Sequence, residues 1–282
     1  MNIRNVEIDP GVMNAACNIA KTPEDVETFA NTRSGAIVVG SITVEPREGN
    51  PEPRWYVGDG YALNSFGMPN GGVEYYSEHL PEMITTAHES GKKLILSVAG
   101  FNVEDYRQLA ALAEQYGPDV IELNLGCPNI AGKAIASFDR EYIQQILDAT
   151  SEETNLPLTV KLSPYSNPLE LNAVAELIAD SGVVDGVVTS NTFPNSLTFN
   201  EDGTPVLAMT QGGGLSGEAI RPLALGQVAA FRRQLPEHIA VIGAGGIETK
   251  EHVALFKRAG ANAVQAATLV VRDGHAAIDR IV

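Results

Sequence analysis

The chain of 282 residues is poor in cysteine and in basic side chains, and each shortage removes a class of protein. Its 2 cysteines, Cys17 and Cys127, are too few for a disulfide framework and are not at metal-ligand spacing, so no metal centre is expected. Lysine and arginine together number 19 against 35 aspartates and glutamates, a net charge of −16 that argues against a nucleic-acid partner. No apolar run reaches the roughly 18 residues that span a bilayer, and "MNIRNVEIDPG" lacks the basic start and apolar core of a secretory signal. The expected protein is cytoplasmic, reduced and without a membrane partner. None of the 5 histidines falls at a candidate strand end, which disfavours a Cys–His hydrolase. A G-x-G-x-x-G after the first strand and a Walker sequence are both missing, so Rossmann and P-loop nucleotide sites are excluded.

What is present is regular. With 44% hydrophobic residues the chain can bury a full core. Short apolar, β-branched runs recur as "VMNAAC" (12–17), "AIVVGS" (36–41), "LILSVA" (94–99), "VIELNL" (120–125), "LTVKLS" (158–163), "GVVTSN" (186–191), "AVIGAG" (240–245) and "AVQAAT" (263–268). Helical patterns such as "PEDVETFANTR" and "NVEDYRQLAALAEQYG" lie between them, and Thr22-Pro23 and Asn167-Pro168 read as a cap followed by a first turn. Eight strand-plus-helix units point to the α/β class and a (β/α)₈ TIM barrel, rather than an open doubly wound sheet. With no linker or repeat, residues 1–282 read as one domain.

In such a barrel the chemistry sits where the strands end. Those ends offer Ala15, Ala16 and Cys17; Gly40 and Ser41; Asn124, Gly126, Cys127 and Asn129; Lys161 and Ser163; Ser190, Asn191 and Thr192; Gly245 and Gly246; and Thr268. Two connections, 43–74 and 192–216, are longer than packing requires and read as lids or substrate platforms. "GGGLSG" (212–217) and "GAGGI" (243–247) each precede a helical pattern. Singly each is a plain turn; together with Thr268 they predict a phosphate-bearing cofactor at the seventh and eighth strand ends.

A single strand-end asparagine is an ordinary turn former. Asn64, Asn124, Asn129 and Asn191 aimed at one rim instead suit a flat heterocycle, because an amide offers both donor and acceptor. Lys161 stands inside an apolar strand, where its burial is unfavourable unless negative charge meets it; an anionic reduced cofactor would do so. Cys127 alone would be a packing thiol, but between two such asparagines it reads as a proton acceptor.

At this point "ELNLGCPNIAGK", "NSFGMPN", "REGNPEPR", "VKLSPY", "SNT" and "GAGGIET" resemble the soluble class of dihydroorotate dehydrogenases, in order from about residue 10 to residue 281. "PNIAGK" and "NSFGMPN" resemble the homodimeric class 1A branch, which uses a soluble electron acceptor such as fumarate. The resemblance implies FMN as cofactor, oxidation of dihydroorotate to orotate in pyrimidine biosynthesis, and a homodimer. Cys127 would be the base and Lys161 would stabilise charge on the flavin. Asn64, Asn124, Asn129, Asn191 and Thr192 would hold the pyrimidine, with backbone around Phe66, Gly67 and Met68 near its carboxylate. Ala15, Ala16, Gly40 and Ser41 would lie at the flavin ring, with Ser216, Gly217, Gly245, Gly246 and Thr268 at its phosphate.

Two departures accompany the resemblance. The soluble class has a lysine at the end of the second strand, where "VVGSIT" has Gly40, and the chain stops at Val282 where the family commonly has a further helix. In "NAACNIAKT", Lys21 stands about one residue beyond the position at which the quinone-using branch places a lysine. Lys21 therefore either reaches back to the substrate carboxylate or is a solvated residue before a helix start. Two other readings stay open: a paralogous FMN oxidoreductase acting on another pyrimidine or enone, and a catalytically idle flavin-binding protein.

Overall fold

The computed structural model describes residues 1–127 and 135–282 of the chain. All eight apolar runs become strands of one closed barrel: β1 (Val12–Asn14), β2 (Ala36–Ile42), β3 (Lys93–Val98), β4 (Val120–Asn124), β5 (Leu158–Leu162), β6 (Gly186–Thr189), β7 (Ala240–Ala244) and β8 (Ala263–Ala266). They pair in parallel and in sequence order, and β8 closes on β1 through Val264↔Val12 and Ala266↔Asn14. Both faces of these strands are buried, which is why they read as continuous apolar runs rather than as alternations.

Among the described residues eight α-helices follow the strands: α1 (Pro23–Ala30), α2 (Gly72–Glu89), α3 (Val103–Tyr116), α4 (Arg140–Glu153), α5 (Pro168–Ser181), α6 (Arg221–Gln234), α7 (Lys250–Ala259) and α8 (Thr268–Asp273). Their ends are chemically marked. Thr22 closes a capping box with Asp25 and puts Pro23 in the first turn of α1, while Asn167 caps α5 ahead of Pro168. Gly117 and Gly182 end α3 and α5 at φ 69° and 66°, in the left-handed region. The helices bury Phe29, Leu80, Leu109, Ile146, Val174, Phe231 and Phe256 against outward strand residues such as Val39, Leu96, Leu123 and Val160.

Inward residues form a second cluster of Met13, Val38, Ile95, Val120, Val188 and Ile242. Ile3 and Ile8 join it from an N-terminal hairpin, Asn2–Ile3 against Val6–Glu7. Arg4 ties that hairpin to Asp185 and to the Asn155 carbonyl, just before β6 and β5, so the hairpin plugs the barrel at its N-terminal end.

The two long connections are more ordered than lids. Trp55–Val57, Ala62–Asn64, Phe193–Ser196 and Gly213–Ser216 form a four-stranded antiparallel sheet over the mouth, through Asn64↔Gly214 and Phe193↔Leu215. The glycine-rich 212–217 stretch is accordingly a strand for most of its length, with Gly217 turning at its end at φ 84°.

Candidate active site

The strand ends and the antiparallel sheet enclose a cleft of about 1060 Å³, counted out to its open mouth. That is at the upper end of the ~300–1,000 Å³ usual for small-molecule sites. It is lined by Ala15, Ala16, Lys21, Gly40, Ser41, Asn64, Phe66, Gly67, Met68, Asn124, Cys127, Lys161, Asn191, Thr192, Ser216, Gly245, Gly246 and Thr268, so nearly every residue singled out on sequence meets in one cavity. Gly217 lies just behind the lining, its carbonyl 2.7 Å from where a Cβ on Gly246 would be. Asn129 lies outside the described residues.

The far wall is small and backbone-rich. Gly245 and Gly246 turn the chain at φ 127° and 70° between β7 and α7, and a side chain on Gly246 would strike Gly217 and Arg221. Arg221 also donates to the Gly246 carbonyl at 3.0 Å. Ser216 closes the sheet strand opposite, and Thr268 opens α8.

The near wall is set by the "REGNPEPR" segment. Arg47 donates from Nε to the Gly67 carbonyl at 3.0 Å, and the backbone N–H of Asn50 donates to the Phe66 carbonyl at 3.0 Å. These braces hold Gly67 and Met68 in left-handed conformations, at φ 73° and 56°. Trp55 stacks on Phe66, with ring centroids 5.7 Å apart and planes 14° from parallel.

Lys21 is half-buried and reaches the cavity, its Nζ donating to the Pro69 carbonyl. Burial lowers its pKa to about 8, with Cys17 and Cys127 acting in the opposite sense. Burial raises the pKa of Cys17, whereas its hydrogen bond with Ile19 and the nearby Lys21 and Lys161 lower it. The solvated alternative for Lys21 therefore does not hold. Gly40, where a lysine was expected by resemblance, has φ 116° and a Cβ there would lie 2.3 Å from the Ser97 carbonyl. That backbone excludes any side chain as it stands.

Lys161 meets negative charge within the protein itself: its Nζ is 3.9 Å from Oε1 of Glu122, whose side chain is fully buried in the barrel. Gln265 bridges the pair, donating to Glu122 Oε2 at 2.7 Å and accepting from Lys161 at 3.4 Å. Sequence reasoning passed over Glu122 and Gln265, although both are polar residues in apolar strands, the signal that marked Lys161. Cys17, Asn18, Trp55, Ser190, Glu248 and Gln265 complete the polar and aromatic lining. Among the described residues no cluster of three or more His, Cys, Asp or Glu is placed to hold a metal ion, and no helix is long and apolar enough to cross a membrane.

Fold and cavity together define a barrel with a cleft of small-molecule size at its C-terminal mouth, the end at which such barrels carry their active sites, lined here by a thiol, two lysines and an amide-rich wall. Residues 1–282 match the family model described as dihydroorotate dehydrogenase, and the chain belongs to that family of flavin-dependent oxidoreductases. It is 36% identical over 276 residues to the dihydroorotate dehydrogenase (fumarate) of Trypanosoma cruzi (strain CL Brener), covering 95% of this chain and 86% of that protein. To dihydroorotate dehydrogenase A (fumarate) of Lactococcus lactis subsp. lactis (strain IL1403) it is 33% identical over 282 residues, covering 99% and 90%. A crystal structure of DHODH from Eimeria tenella, in complex with ferulenol, superimposes with a TM-score of 0.82 at 22% identity, over 99% of this chain and 81% of that one, and bears out the barrel.

Proposed function

We propose that the protein oxidises dihydroorotate to orotate in pyrimidine biosynthesis, with FMN as its flavin and a soluble acceptor such as fumarate, as the names of its relatives suggest. One observation carries this reading: Cys127, Lys21, Lys161 and the Gly245–Gly246 turn line a single cavity. The residues present fit FMN. Ala15, Ala16, Gly40 and Ser41 make a flat wall without bulky side chains, Lys161 supplies a buried cation, and Ser216, Gly245, Gly246 and Thr268, backed by Gly217, make a small-residue end suited to a phosphate. FMN bound there would accept the hydride that leaves C6 of dihydroorotate.

The remaining work falls to the protein. Cys127 takes the proton from C5, and loss of both hydrogens forms the ring double bond. A thiol is a workable base near neutral pH only when its surroundings favour thiolate. Lys21 lines the same cavity as Cys127, and the two charges interact. Asn64, Asn124, Asn129, Asn191 and Thr192 hold the pyrimidine. The Oγ1 of Thr192, buried and without a hydrogen-bond partner among the described residues, supports a ligand contact there. The carboxylate sits by Phe66, Gly67 and Met68, within reach of Lys21, which takes the part of the lysine that Gly40 cannot provide. The protein acts in the cytoplasm as a homodimer, which light scattering after size-exclusion chromatography checks.

Gly40 also favours a second reading, turnover of a related ring that lacks a carboxylate. The test is anaerobic turnover of FMN-loaded protein with dihydroorotate and fumarate. Orotate and succinate in equal amounts are expected. No orotate with fumarate or with an artificial acceptor would sink the dehydrogenase reading, and protein that takes up no FMN would sink the cofactor.

A further inference from the structure

A chain of hydrogen bonds, part-buried at the asparagines and buried from the serines inward, joins the amide wall to Lys161, and the reaction above leaves its centre, Glu122, without a part. Asn191 Nδ2 donates to Asn124 Oδ1 at 3.1 Å, and Asn124 Nδ2 donates to Ser41 Oγ at 2.8 Å. Ser41 Oγ and Ser97 Oγ are 2.9 Å apart, and Ser97 Oγ donates to Glu122 Oε1 at 3.1 Å. From the other side, Lys161 donates to Gln265, which donates to Glu122 Oε2.

The direction of this chain follows from counting protons. A serine hydroxyl has one proton. Ser97 gives its proton to Glu122, so Ser41 must donate to Ser97 and must itself accept from Asn124. At the far end the backbone N–H of Thr192 donates to Asn191 Oδ1 at 2.8 Å, which fixes that amide too. Every bond runs toward Glu122, as an acceptor-only carboxylate requires. Both asparagines are thereby oriented, each with a second N–H that no described residue takes up and that can meet a ligand carbonyl or carboxylate oxygen. On the other branch, Glu122 offsets part of the charge of Lys161.

We infer that Glu122 is a positioning residue shared by the two halves of the site: it sets the donor polarity of Asn124 and Asn191 toward substrate, and moderates the cation that Lys161 presents to the flavin. This rests on the flavin reading above, and its test is separable from that reading. Glu122→Gln keeps the shape but removes the charge and puts an N–H₂ donor in place of one of the two acceptor oxygens. With Lys161 no longer offset, the two-electron potential of bound FMN should rise by about 30 mV, the equivalent of tenfold in its equilibrium constant. Sulfite addition to the oxidised flavin should tighten by a similar factor. Orotate binding, followed by the flavin spectrum, should weaken about tenfold.

In a Lys161→Met background, Glu122→Gln should no longer move the potential but should still weaken orotate. Two half-chain variants cover the case in which Glu122→Gln fails to fold or to bind FMN. Ser97→Ala should weaken orotate at constant potential, and Gln265→Leu should shift the potential by a larger factor than it shifts orotate affinity. An unchanged potential and unchanged orotate affinity in Glu122→Gln, or half-chain variants that do not separate the two effects, would overturn the inference while leaving FMN binding and turnover intact. Wild-type protein that takes up no FMN would overturn the flavin reading, and this inference with it.

Discussion

The two ends of the barrel interior are built on the same strands with the same alternation, and differ in almost everything else. Toward the N-terminal end, Ile95, Val120, Val188, Ala240 and Ala263 pack with Ile3 and Ile8 of the hairpin plug. Two residues further along the same strands stand Ser97, Glu122 and Gln265, with Lys161 beside them on β5. A step of two residues keeps the side chain pointing inward while moving it about 6–7 Å toward the mouth. Packing at one end needs only shape and apolar area; buried polar groups at the other are tolerable because they satisfy one another. The barrel thus separates apolar packing from buried polar groups by position along a strand rather than by domain.

Substitutions at the two ends should therefore fail in different ways. The largest effect is expected at the mouth. Cys127→Ala should fold and hold flavin yet slow its reduction by dihydroorotate by roughly 10²–10⁴, the usual range for loss of a positioned general base. Stopped-flow absorbance checks it, and an unchanged rate would return Cys127 to packing. At the plugged end, Ile95→Ala should cost about 2–5 kcal/mol of stability by leaving a cavity. Urea unfolding measures that loss, and the protein still folded at low temperature should reduce its flavin at the wild-type rate. A large rate effect would break the comparison.

Lys21→Met should weaken dihydroorotate and orotate by about ten- to a hundredfold, the equivalent of one charge-assisted hydrogen bond of roughly 1.5–3 kcal/mol. Titration of the flavin spectrum reads this directly. The same residue gives a pH signature. Because the pKa of Lys21 is lowered to about 8, the cation is present below that pH and lost above it, so orotate affinity should fall as pH rises through 8. Lys21→Met should lack this step. For folding the sign is opposite: the unfolded lysine keeps its proton up to its ordinary value of 10.5, so between 8 and 10.5 the unfolded state binds more protons and the contribution of Lys21 to stability grows with pH.

Much of this was legible in the chain. The eight apolar runs announce the barrel because parallel strands covered on both faces need no alternation. Cys127, Lys161 and the strand-end asparagines were visible because polar residues at the ends of apolar strands have few structural uses. The antiparallel sheet over the mouth was not. Its strands, such as "FPNS" and "GGLS", are four residues long and carry no β pattern, and their register is set by partners as distant as Asn64 and Gly214. Pro81 inside α2 similarly disguises an 18-residue helix. Glu122 and Gln265 carried a readable signal, but their meaning lies in Lys161 and Ser97, which approach them only when the barrel closes.

The central claim, that one cavity holds FMN and dihydroorotate in reacting contact, is tested most directly by anaerobic titration of the FMN-loaded protein with dihydroorotate. The account predicts stoichiometric loss of the oxidised flavin's visible absorbance, with one orotate formed per flavin reduced. A protein that stays yellow at saturating dihydroorotate, yet bleaches with a chemical reductant, would contradict it.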